Sequence, residues 1–222
     1  MLFFWIALYG FVNLIPEVFC CREESVIWLR AGLLAGYALL LLFWICRCGR
    51  QREAGLQVPR GVMEVPAFLL PLAVFPVCNL LTNRDIFGGP DFMLQMLCVA
   101  LIEELFFRGF LLFSLRKFGT IRAIVLTSIA FALLHGLNFQ ENPDDAYVWL
   151  QICSSFCVSM YYCCFVVRFG SILPCVAAHF LTNVTAAESI GGIWAYTSLT
   201  GSMIICIILS WILIKDTKKR RQ

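Results

Sequence analysis

The chain has 222 residues, of which 61% are hydrophobic and only 14% charged, and its mean hydropathy is +0.85. A soluble domain carries roughly 45–50% apolar residues, so these values exclude a water-soluble globular fold and define an integral membrane protein. The net charge of +3 sits in loops and tail and gives no case for a nucleic-acid partner.

A spanning helix takes about 20 apolar residues. Runs of that kind fall at 2–20, 26–46, 62–81, 91–115, 121–138, 146–167, 171–187 and 190–214. They predict an all-α, polytopic bundle of about eight transmembrane helices, one membrane domain over 1–222. The first run, "MLFFWIALYGFVNLIPEVFCC", lacks a basic leader and a small-residue cleavage site, so it reads as a retained span rather than a signal peptide. The second carries "GLLAG", whose Gly32 and Gly36 have the GxxxG spacing that lets helices approach closely. Packing inside the bundle is the expectation there, with dimerisation the alternative. That run ends at Cys46 and Cys48, which flank Arg47. The twelve cysteines lie mostly inside apolar runs and are expected to act as small hydrophobes; acylation is the alternative at Cys46 and Cys48. Pro66, Pro71 and Pro76 interrupt the third run, which a membrane helix tolerates when neighbours satisfy the freed carbonyls. Short polar turns, "LRKFGT" and "RFGS", separate the fourth from the fifth run and the sixth from the seventh.

Lys and Arg collect in alternate loops. Arg47, Arg50, Arg52, Arg60, Arg116, Lys117, Arg122, Arg168 and the tail "KDTKKRRQ" fall on one side, against Arg22 and Arg84 on the other. The positive-inside rule then places both termini in the cytosol. The basic tail fixes that topology and also favours anionic lipid.

Ionisable groups inside a span are candidates for function because burying them is costly. Here they are Glu103, Glu104 and Arg108 in the fourth run, His135 in the fifth and His179 in the seventh, joined by Asn183. His135 and His179 are the only two histidines of the chain. At 1.5 Å per residue, Glu103 lies about 18 Å from the cytosolic end of its helix, His135 about 21 Å, His179 about 12 Å and Asn183 about 18 Å. Three helices thus bring polar groups to the middle of the bilayer. Glu104 and Arg108 are four apart and share a face, with the acid N-terminal, the better order for an ion pair. Arg108 keeps Glu104 ionised and oriented. Glu103 points about 100° away, without a cation on its own helix, and is the candidate general base. Phe131 and His135 also share a face, so Phe131 either walls a pocket or simply packs.

A carboxylate with two histidines can activate water, and Asn with His can donate to an oxyanion. Hydrolysis of an acyl or peptide bond is the class that fits. A metal-assisted route is the second possibility: Glu103, His135 and His179 would form a zinc ligand set drawn from separate helices, since HExxH is absent. The cofactor is therefore none or a divalent metal such as zinc. GxSxG does not occur, and nothing marks one cysteine as an activated nucleophile.

These motifs resemble the CPBP group of intramembrane endopeptidases, the CAAX protease or Abi family. The family's two glutamates and following arginine correspond to "EELFFR", residues 103–108. Its phenylalanine before histidine corresponds to "FALLH", residues 131–135, and its histidine before asparagine to "HFLTN", residues 179–183. The three stand in the family's order on separate spans, over a catalytic core at 91–187. The resemblance implies that Glu103 acts with His135 to activate water, that His179 and Asn183 form the oxyanion site, and that Glu104, Arg108 and Phe131 orient the site or bind substrate. It implies a membrane-associated protein or peptide as substrate, the lipid bilayer as surroundings and a compact member from a prokaryotic cell membrane. The alternatives are a non-proteolytic membrane protein, such as a transporter or bacteriocin immunity factor, and an acyl-transfer enzyme using the same buried site. A transporter would be expected to show internal repeats, and none is visible. The oligomeric state is not encoded in any of these features.

Overall fold

The structure, a computed structural model, describes residues 23–82, 89–140, 144–186 and 192–219. The first expected span, 2–20, lies outside them. The α-helices are α1 (Glu23–Arg47), α2 (Val65–Thr82), α3 (Pro90–Glu104), α4 (Leu112–Leu115), α5 (Thr120–Leu134), α6 (Asp145–Phe169), α7 (Leu173–Val184) and α8 (Gly192–Lys219). A π-helical stretch, Leu105–Leu111, joins α3 to α4 so that 90–115 is one interrupted rod. No strand occurs among the described residues. Five helical segments are long and apolar enough to cross a membrane: Trp28–Arg47, Val62–Leu81, Thr120–Asn138, Asp145–Phe169 and Gly192–Thr217. The expected count of about eight is not reached among the described residues. The rod at 90–115 is broken and carries three charges at its centre, and α7 has only 12 residues, about 18 Å of helix.

The helices run alternately up and down. Arg168 near the end of α6 pairs with Glu64 before α2 and with Asp216 near the end of α8, so those three ends meet. At the opposite end, Asn79 of α2 donates to the Thr185 carbonyl after α7, and Trp194 of α8 donates to Asn79. Gathering Arg47, Arg116, Arg168 and Lys215 at one end gives the molecule a basic pole.

Burial follows the membrane rather than water. On α1, Ala31, Leu34, Ala38 and Ile45 are buried against the bundle, while Leu39 and Leu40 are 66% and 68% exposed. The buried positions recur every three or four residues, one helical stripe, and the remainder face hydrocarbon. α6 is the central helix, packing against α5 and along α8. Its Tyr161, Tyr162, Cys163, Cys164 and Phe165 form the main core with Cys175 and Cys206. Those cysteines are free and buried, whereas Cys46 and Cys48 are exposed. Among the described residues, a Cβ at Gly32 or Gly36 would meet nothing within 4 Å.

The chain between α1 and α2 is ordered and braces the centre. Gly55, at φ +73, accepts at its carbonyl from Ile172 N. Arg60 N donates to the Phe169 carbonyl, and Gln57 Nε2 to that of Gly170. These bonds fix the α6–α7 corner. The same turn presses on the π stretch, where an added Cβ on Gly109 would lie 2.9 Å from the Ala54 carbonyl oxygen.

Candidate active site

Glu103 and Glu104 occupy the last turn of α3, where the backbone passes into the π stretch. Such stretches are rare and occur frequently at functional sites. Leu105, Phe106, Phe107, Arg108 and Gly109 are all buried. Five consecutive buried positions run around every side of a helix, so this stretch is packed within the bundle.

Glu104 and Arg108 are wholly buried, with Glu104 Oε1 3.0 Å from the guanidinium. The guanidinium carbon lies 4.2 Å from the centre of the Phe131 ring and 5.4 Å from that of Tyr162. A buried cation is thus balanced by one carboxylate and by the faces of aromatic rings, which attract it electrostatically.

α7 brings His179 between the two glutamates. Its Nδ1 is 3.0 Å from Glu104 Oε1, and its Nε2 is 3.6 Å from Glu103 Oε2. A carboxylate held by Arg108 only accepts, so Nδ1 carries a proton and donates it to Glu104. Nε2 is thereby turned toward Glu103. The 3.6 Å separation exceeds a hydrogen bond and leaves the two groups able to engage a third.

His135 stands where α5 ends, at the first residue of a 3-10 turn, rather than within the longer helix expected over 121–138. Its Nδ1 is 3.1 Å from the Phe131 carbonyl. The carbonyl can only accept, so Nδ1–H donates and Nε2 keeps its lone pair. The Phe131 ring lies 4.9 Å from the His135 ring and 6.1 Å from that of His179, centre to centre.

A cavity of about 370 Å³ collects these groups: Glu103, Phe131, His135, His179 and Asn183 all line it. Glu104 and Arg108 do not; they stand behind His179. The cavity also shows residues that the reading of the sequence passed over. Tyr147, Gln151, Ser154, Ser155 and Tyr162 line it from α6, and Asn138 donates to Gln151 at 2.7 Å. Their spacing was the available signal, because polar residues recurring at helical period within a span mark one wet face. Leu72, Phe75, Met96 and Val99 form an apolar wall.

Among the described residues no three His, Cys, Asp or Glu side chains stand together as ligands for one ion. In this arrangement Glu103, His135 and His179 do not make the zinc set considered from the sequence, and no step below runs through a metal.

The fold and site define a membrane-embedded helical protein with paired carboxylates and imidazoles around a buried polar cavity. Residues 87–185 match the family described as type II CAAX prenyl endopeptidase Rce1-like. The chain is similar to that family over this segment, which is less than half of its length and contains Glu103, Glu104, Arg108, Phe131, His135, His179 and Asn183. No curated protein and no solved structure matches the chain.

Proposed function

We propose that this protein is an intramembrane endopeptidase that cleaves a membrane-associated protein or peptide with an activated water. The observation that carries the reading is the single cavity lined by Glu103, His135, His179 and Asn183, within a segment similar to a family of endopeptidases.

Glu103 and the free Nε2 of His135 are the bases, taking a proton from water as it attacks the carbonyl carbon. Negative charge then develops on the carbonyl oxygen. Asn183 donates to it from its amide, and His179 donates from Nε2. Donation at Nε2 while Nδ1 donates to Glu104 requires His179 to carry both protons. Glu104 and Arg108 act through His179 and position it, and Phe131 holds the two imidazoles apart. Proton return to the leaving amine completes the reaction.

The apolar wall of Leu72, Phe75, Met96 and Val99 suits the lipid-facing part of a substrate, and the Asn138–Gln151 side suits its peptide backbone. In the proposed topology the basic pole and both termini face the cytosol.

The test is cleavage of quenched membrane peptides by the purified protein, wild type against Glu103→Gln. Loss of about 100-fold or more in kcat with an unchanged melting temperature is expected. Cleavage that survives in Glu103→Gln sinks the assignment.

A further inference from the structure

A second concavity among the described residues, separate from the site above, lies at the basic pole. It encloses about 500 Å³ between α1, the turn that follows it, and the π stretch with α4. Tyr37, Leu41 and Trp44 form one wall, and Phe106, Phe110 and Phe113 the other. From Tyr37 to Ile45 the wall follows α1 for about 12 Å. Arg50, Arg116 and Lys117 line its mouth and are exposed. Glu53, the one acid there, pairs with Arg50 at 3.4 Å.

We propose that this groove binds an anionic phospholipid. One acyl chain lies between α1 and the π stretch, and the headgroup phosphate is held by Arg116 and Lys117. The argument is complementarity of two kinds at one place. The aromatic and aliphatic walls match an acyl chain, and a net excess of cations stands where the chain meets its headgroup. Basic pockets between spanning helices on one face of a membrane recognise anionic headgroups in this way. The position gives the lipid a consequence. Leu105 and Gly109 also line the groove, and the same stretch carries Arg108, which fixes Glu104 and through it His179. A lipid in the groove braces the back of the segment that orients the site. The proposal is one of binding and stands whether or not the chain proves to be a protease.

The experiment is competitive retention. The full chain is equilibrated in detergent with equal amounts of phosphatidylglycerol and phosphatidylcholine, washed, and its retained lipid measured by mass spectrometry. Wild type is expected to keep phosphatidylglycerol about tenfold over phosphatidylcholine, on the order of what two interfacial cations supply. In the Arg116→Gln, Lys117→Gln double variant that preference falls to near onefold with gel-filtration behaviour unchanged. A Lys215→Gln, Lys219→Gln variant, altered away from the groove, keeps it. Equal retention of the two lipids by wild type overturns the proposal. So does a preference that persists without Arg116 and Lys117, or one lost equally from the Lys215 and Lys219 variant.

Discussion

His179 Nδ1 donates to Glu104 Oε1 across 3.0 Å, joining residues 75 apart in sequence within a fully protein-lined part of the bundle. The bond makes Glu104 serve two partners, Arg108 along its own rod and His179 from α7.

Removing the charge of Glu104 therefore strands Arg108. Glu104→Gln keeps the shape and an acceptor oxygen but leaves the buried guanidinium without a counter-charge. Breaking a buried pair in this manner costs about 3–5 kcal/mol. The expected result is a melting temperature lowered by several degrees in detergent. A thiol-reactive dye can follow it, since Cys163, Cys164 and Cys175 are buried in the folded state. Adding Arg108→Met should recover part of the loss, because the double variant has no unpaired charge. Strictly additive single effects would show that the two side chains are not coupled.

Asn183 lies one turn beyond His179 on α7 and lines the same cavity. If it donates to the developing oxyanion, Asn183→Ala lowers kcat by about 100- to 1000-fold, and KM changes little. A variant with KM raised and kcat preserved would instead assign Asn183 to ground-state binding.

The parts of this arrangement differ in how far the sequence discloses them. The Glu104–Arg108 pair is legible because both residues lie on one rod, where spacing fixes facing. Its link to His179 is not, because no periodicity says which helix of a bundle sits beside which. The run 91–115 reads as continuous helix; the π stretch within it packs at Gly109 against the Ala54 turn, a contact between segments about fifty residues apart. The GxxxG of α1 reads as close packing, and among the described residues neither glycine has a neighbour within 4 Å of an added Cβ. Hydropathy located the long apolar helices, the fifth span matching Thr120–Asn138, but it overextended the seventh. It is blind to where α5 gives way to a 3-10 turn at His135 and to α7 closing at Val184.

The contrast between glycines is itself testable. At Gly109 an added methyl group must displace the Ala54 backbone, whose carbonyl oxygen lies 2.9 Å away and has no flexible side chain to yield. Gly109→Ala is expected to destabilise by about 1–3 kcal/mol, the usual cost of overpacking. It should also lower activity, because the turn braces the stretch carrying Arg108. Among the described residues Gly32→Ala meets nothing within 4 Å and gains helix propensity, so it should be neutral or mildly stabilising. Equal thermal stability of Gly109→Ala and wild type would contradict the close approach.

Asp144 supplies a pH-dependent contact away from the cavity. It caps α6 by accepting from Tyr147 N at 3.1 Å, and it accepts from the Tyr196 hydroxyl of α8. The Tyr196 hydrogen bond, followed by the cap, holds its carboxyl below the ordinary value of 3.8. A carboxyl lowered on folding contributes stability above its unfolded value and loses that contribution as pH falls through the folded one. Wild type should therefore lose melting temperature as pH drops from about 5 toward 3, part of the loss arising here. Asp144→Asn, which no longer titrates, should begin less stable at pH 7 and show a shallower decline into acid. Tyr196→Phe removes only the bond to α8 and should fall between the two. Parallel curves for all three proteins would mean that protonation of Asp144 is not linked to folding.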